Sequence, residues 1–190
     1  MIRISVWPGD LSDLYLRHVT QLGVDCIDFG AAETFPGVVE RGFPDLEGVL
    51  TIQKKLSSWG LAINRVTLPN ISEAFMKGEP GLDHELAAAC AALRVFGEAG
   101  VPVARQRFGG DAMPHRTQPY QSVHRGGYLS RGEYAHRSQP EPRSAEALDA
   151  WWDRFRLVYG RLVPIAEEVG VNLALHPSDT PYAGTPFDSL

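Results

Sequence analysis

The sequence predicts an α/β chain of parallel strands alternating with helices, and three observations predict it. A short unit recurs four times along the chain: an amphipathic helix, then glycine, then a short apolar run. Glycine just past a helix end supplies the left-handed cap conformation at no Cβ cost. The apolar runs do not alternate with polar residues, which is the pattern of strands buried on both faces of a parallel sheet. No Gly-rich phosphate fingerprint follows the first apolar run, where Trp7-Pro8-Gly9-Asp10 stands instead. That disfavours a nucleotide-binding doubly wound sheet.

Taken in order, residues 2–7 form the first strand. Leu11, Leu14, Val19 and Leu22 then mark a helical stripe, with Asp10 as its expected N-cap. The junction Leu22-Gly23-Val24-Asp25-Cys26-Ile27 leads into the second strand, and Trp59-Gly60-Leu61-Ala62-Ile63 into the third. Leu82, Leu86, Cys90 and Leu93 make the next helical stripe, which Ala99-Gly100-Val101-Pro102-Val103 ends. The longest stripe runs Leu148, Trp151, Trp152, Phe155, Tyr159, Leu162, Ile165 and Val169, with Ser144 as cap. Aromatic residues at this spacing are core packing rather than a cofactor box. Pro164 is expected to interrupt and kink this helix, because it lacks an N–H and crowds the preceding turn. Val169-Gly170-Val171-Asn172-Leu173-Ala174-Leu175 then gives a fifth strand.

Five strands and four helices in alternation imply right-handed crossovers in one parallel sheet. Either an open sheet or part of a (β/α)₈ barrel satisfies the pattern. In a barrel the chemistry sits at strand C-termini and in the loops that follow them. Two such loops are long: residues 69–80, and residues 108–143 after the fourth strand. Loops beyond about 12–15 residues are usually functional or disordered. Residues 108–143 hold His115, His124, His136, four arginines within 116–137, and Tyr120, Tyr128 and Tyr134. An Arg/His/Tyr-rich loop at a barrel mouth suits an anionic, hydroxylated ligand, and the same composition also fits a disordered surface loop.

With 190 residues and 44% hydrophobic content, the chain can bury one core and reads as a single domain, 1–190. Its net charge of −5 lacks the basic excess of a phosphate-binding surface, so nucleic acid is not expected as a partner. No apolar run approaches the ~20 residues of a membrane span, and no membrane association is expected. Cys26 and Cys90 are too few for a disulfide framework and fall in segments that read as buried. With no signal-peptide pattern at the N-terminus, the expected location is the cytoplasm.

The end of the chain is the most specific stretch. Residues Val163-Pro164-Ile165-Ala166-Glu167-Glu168-Val169-Gly170-Val171-Asn172-Leu173-Ala174-Leu175-His176-Pro177-Ser178-Asp179 resemble a segment of the mannonate dehydratases. In that family a helix with an internal proline leads into a strand ending His-Pro-Asp-Asp-Pro-Pro. Glu73-Ala74-Phe75-Met76-Lys77-Gly78-Glu79-Pro80-Gly81-Leu82-Asp83 resembles the family's loop before the third helix. Arg125-Gly126-Gly127 resembles its Arg-Gly-Gly after the fourth strand. Ser178 and Thr180 depart from the family's usual Asp and Pro.

The resemblance implies the N-terminal portion of a (β/α)₈ TIM barrel of the xylose isomerase-like group. It implies a hydro-lyase that dehydrates D-mannonate to 2-keto-3-deoxy-D-gluconate with Mn²⁺ or Fe²⁺. His176 is the implied metal ligand at the end of strand five; imidazole suits both metals and a strand end opens on the barrel mouth. Without the flanking motif, a lone histidine there would read as a hydrogen-bonded cap. Arg125, His124 and Arg105 are the expected contacts to a sugar-acid substrate, with Arg107 a further candidate; His18 and His84 read as surface or packing residues. The family's remaining ligands and its base come from later strands, and a barrel needs about 250 residues. The expectation is therefore a truncated chain, inactive alone, with open sheet edges that leave homo-oligomerisation open. Two alternatives remain: a sugar isomerase or epimerase of the same barrel group, and a non-catalytic half-barrel. Strand five of those isomerases commonly ends in a glutamate ligand, which His176-Pro177 argues against.

Overall fold

A computed structural model describes residues 2–109, 115–116, 119–134, 139–140 and 144–175. Its centre is a five-stranded sheet of order β1-β2-β3-β4-β9 with every neighbouring pair parallel. The strands are β1 (Ser5–Val6), β2 (Cys26–Asp28), β3 (Ala62–Thr67), β4 (Val103–Arg105) and β9 (Asn172–Ala174). Between them lie α1 (Asp13–Gln21), α3 (Leu46–Ser57), α5 (Asp83–Glu98) and α6 (Ala145–Val169). This is the alternating strand–helix arrangement the sequence predicts, a partial TIM-barrel-like sheet. The four junction glycines, Gly23, Gly60, Gly100 and Gly170, all take φ between 72° and 80°. Their left-handed conformation ends each helix and turns the chain into the next strand.

Side-chain alternation sorts the sheet into two faces. Val6 pairs in register with Ile27, and Ala104 with both Val66 and Leu173. These residues belong to the core shared with the helices. There Phe29, Phe35 and Phe96 are fully buried, with ring centroids 4.7 and 5.0 Å apart along the series. Each such side chain contributes about 1.5–3 kcal/mol relative to exposure. Arg65, Thr67 and Arg105 share the opposite, open face, Thr67 standing beside Arg105 in register.

Several local expectations are corrected. Ser12, not Asp10, caps α1: its hydroxyl accepts from the Tyr15 amide, while the Asp10 carboxylate accepts from the Ser12 amide. Those hydrogen bonds hold the Asp10 carboxyl below its ordinary value. The buried stripe of α1 is Leu16 and Val19, whereas Leu14 and Leu22 are exposed. The helix starts two residues after Leu11, which rotates its face away from the stripe that includes Leu11. Helix α6 is capped by Ser144 as expected, but it runs continuously through Pro164. Lacking an N–H, Pro164 leaves the Gly160 carbonyl without its helical hydrogen bond.

The two long connections also contain structure. Helix α4 (Glu73–Met76), capped by Ser72, occupies the first, and a further short helix α2 (Val38–Arg41) precedes α3. Residues 108–143 carry antiparallel pairs rather than an unbroken loop. β5 (His115–Arg116) pairs with β8 (Gln139–Pro140), and β6 (Pro119–Val123) with β7 (Leu129–Glu133).

Candidate functional site

Strands β1, β2 and β3 bring a polar group together on the open face. Asp28 is its hub. Its Oδ1 accepts hydrogen bonds from Ser5 Oγ at 2.8 Å and Asn64 Nδ2 at 2.9 Å, and Arg65 Nε lies 3.5 Å from Oδ2. Arg65 Nη1 reaches the hydroxyl of buried Thr67 at 3.5 Å. Consecutive strand residues normally point to opposite faces, so Asn64 and Arg65 should not both reach one carboxylate. A register shift between Ile27 and Asp28 resolves this: Ile27 pairs with Ile63, but Asp28 pairs with Arg65. The irregularity re-aims two donors onto Asp28, as bulges near binding sites do.

Trp7 stands over this group. Its ring centroid is 5.7 Å from the Arg65 guanidinium carbon, and its carbonyl accepts a hydrogen bond from the Tyr15 hydroxyl. A cation over an indole face is attracted by the ring quadrupole. The arrangement is polar, charge-compensated and partly open: the Arg65 and Asp28 side chains keep 17% and 24% of their exposure. Sequence reasoning missed it. The available signal was a charged residue, Arg65, inside an apolar strand, because charges are rarely placed there without a partner.

The expected site residues are placed as follows. Arg105 ends β4 on the same open face, half-buried beside Thr67. Next to it, Gln106 is buried and donates to the carbonyls of Pro69 and Arg107, which ties the loops after β3 and β4 together. Burial raises the hydroxyl pKa of Tyr159, on α6, and the positive charge of Arg105 partly offsets that rise.

His124 and Arg125 sit apart from Arg105, at the turn of the β6–β7 ribbon, and both are exposed. The His124 ring contacts Ser130 Oγ at 2.7 Å and Ser122 Oγ at 3.2 Å, and these two hydroxyls are 3.0 Å apart. Among the described residues, these side-chain contacts stay within the ribbon. Arg107 is exposed. His18 is exposed, and so is His84, whose Nδ1 lies 3.2 Å from the Gly81 carbonyl. His176 lies outside the described residues.

Among the described residues, no three His, Cys, Asp or Glu side chains converge where a metal ion could be held. Asp28 is already committed to Ser5, Asn64 and Arg65. The described donors therefore do not fit a divalent metal centre by themselves. Among the described residues no helix is long and apolar enough to cross a membrane.

No family model matches the sequence, and no curated protein matches it significantly. Solved structures do match. A mannonate dehydratase from Streptococcus suis serotype 2 aligns with TM-score 0.64 and 20% identity, over 98% of this chain and 56% of its own. A D-psicose 3-epimerase with D-tagatose from Clostridium cellulolyticum H10 aligns with TM-score 0.54 and 13% identity, over 92% of this chain and 52% of its own. The chain thus spans about half the length of the enzymes it resembles. At these identities the likeness establishes the fold, a TIM-barrel-like α/β sheet.

Proposed function

We propose that the chain forms part of a sugar-acid hydro-lyase of the mannonate dehydratase kind, built on a xylose isomerase-like barrel. The observation that supports it best is a coincidence of motif and fold. The segment from Val163 to Asp179, which resembles the dehydratases and holds His176-Pro177, contains the fifth strand of a chain that aligns with one such enzyme over 98% of its length. The polar group agrees with this reading. Arg65 carries a guanidinium on the open face, where a carboxylate substrate would need it, with Ser5 and Asn64 beside it and Arg105 on the next strand. His176 as a ligand of Mn²⁺ or Fe²⁺, and His124 and Arg125 as substrate contacts, belong to the proposal.

A second reading, a sugar epimerase or isomerase, is favoured by the likeness to the D-psicose 3-epimerase. One pair of assays separates them. The purified chain is incubated with Mn²⁺ and either D-mannonate or D-tagatose, and the 2-keto acid and the epimeric ketose are quantified. The proposal expects D-mannonate binding, little or no turnover by the 190-residue chain alone, and no conversion of D-tagatose. Conversion of the ketose would overturn the lyase reading. Robust dehydration would overturn the expected inactivity of the chain alone.

A further inference from the structure

We propose that Trp7 is an aromatic platform on which the C–H face of a sugar or sugar acid stacks, and that position 30 is glycine in order to seat it. The inference rests on the sugar-acid reading above and assigns it a specificity-determining residue. Trp7 keeps 60% of its surface exposed, whereas Trp151 keeps 8%. Covering the Trp7 indole face with the C–H groups of a ligand would remove apolar surface from water, which is favourable.

The ring is nonetheless held firmly. A Cβ at Gly30 would stand 1.8 Å from Cζ3 and 2.5 Å from Cη2 of the indole, so the ring lies directly against the backbone after β2. Gly30 does not have a left-handed φ. Its backbone conformation is therefore open to other residues, and only the approach of the ring requires glycine. The Arg65 guanidinium, itself fixed by Asp28, holds the ring from β3, and the Tyr15 hydroxyl holds the Trp7 backbone from α1. An aromatic ring fixed from three elements yet left open is preorganised for a ligand.

The neighbours select the class of ligand. Ser5 and Asn64 lie in the same polar group, and Arg65 uses only Nε and Nη1 among the described residues. Its Nη2 protons face no described partner. An apolar ring face beside a guanidinium with unused N–H groups matches a polyhydroxylated carbon chain, which has C–H groups on one side and oxygen acceptors on the other. A lipid tail or a purely aromatic ligand would leave the Arg65 Nη2 protons without an acceptor.

The test titrates the full chain with D-mannonate and with D-mannitol, which has the same carbon skeleton without the carboxylate. Saturation transfer from protein to ligand C–H protons and Kd are read for wild type, Trp7→Phe, Trp7→Leu and Gly30→Ala, with thermal unfolding as a check on folding. The platform predicts that wild type and Trp7→Phe bind alike. It predicts that Trp7→Leu weakens binding about two- to twelvefold, the range of one aromatic contact. Gly30→Ala should weaken binding similarly, because the new Cβ displaces a ring that is still present.

Equal Kd values for Trp7→Leu and wild type would overturn the proposal, as would absence of saturation transfer from wild type to either ligand. Trp7-dependent binding of D-mannitol without binding of D-mannonate would support the platform and count against the sugar-acid reading. Trp7-independent binding of D-mannonate would do the reverse.

Discussion

Replacing Asp28 by alanine removes the acceptor that ties β1, β2 and β3 together. Two of its hydrogen bonds are well formed, at 2.8 Å from Ser5 and 2.9 Å from Asn64. Hydrogen bonds to a charged group contribute about 1.5–3 kcal/mol each. The Asp28 side chain keeps 24% exposure, so water competes and the lower end of that range applies. Two bonds then give about 3 kcal/mol. The contact to Arg65 is long, at 3.5 Å, and adds at most about 1 kcal/mol. For a chain of this size each kcal/mol moves Tm by about 2–4 °C, so Asp28→Ala should lower it by about 6–16 °C.

Asp28→Asn provides the control. Its side-chain oxygen can still accept from Ser5 and Asn64, but as a neutral acceptor, and the attraction to Arg65 is lost, so the cost should be about 1–2 kcal/mol, below that of alanine. Thermal and urea unfolding of the two variants, followed by circular dichroism, measures the difference. If Asp28→Ala shifts Tm by less than about 2 °C, or if Asn is as damaging as Ala, the hub assignment is wrong.

Two further outcomes are expected. Gly97 on α5 faces Val169 on α6 so closely that a Cβ would stand 2.4 Å from the valine Cβ. Overpacking of about 1–3 kcal/mol should outweigh the helix-propensity gain of about 0.8–1 kcal/mol in Gly97→Ala. The urea midpoint should fall and recover when Val169→Ala is added; a raised midpoint in the single variant contradicts the packing. Burial raises the pKa of the Cys26 and Cys90 thiols above 9.0 and of the Tyr159 hydroxyl above 10.0. Groups with a raised folded-state pKa favour the native state fully below their unfolded values and lose that contribution as pH rises through the folded ones. Tm should therefore decline as pH climbs past 9.0 and on beyond 10.0; a flat profile through that window would show that these groups are not desolvated.

The fold was legible because its punctuation is local. Gly23, Gly60, Gly100 and Gly170 mark helix ends by a conformational requirement carried in single residues, and the apolar runs after them need no partner to be recognised. The stripe of α6 was equally readable, since Trp151, Leu162 and Ile165 are buried at helical spacing. The stripe of α1 was misread: periodicity alone could not say that the helix begins at Asp13. The polar group on β1, β2 and β3 was not legible at all. Ser5, Asp28, Asn64 and Arg65 meet only through sheet register and a bulge, and neither leaves a trace in sequence spacing. Arg105 is a candidate because it closes an apolar run, the position where a barrel carries its chemistry. His124 and Arg125 are candidates through the composition of their loop and its Arg-Gly-Gly resemblance, and they lie on a ribbon whose described side-chain bonds are its own.

The most direct measurement is a D-mannonate titration of the isotopically labelled 190-residue chain, followed by amide and indole resonances. The account predicts that shifts concentrate at the Trp7 indole and at the amides of Asp28, Arg65, Thr67 and Arg105, with little change along the exposed faces of α1 and α3. Shifts confined to those helices, or none at any ligand concentration, would contradict a sugar-acid site on the open face of the sheet.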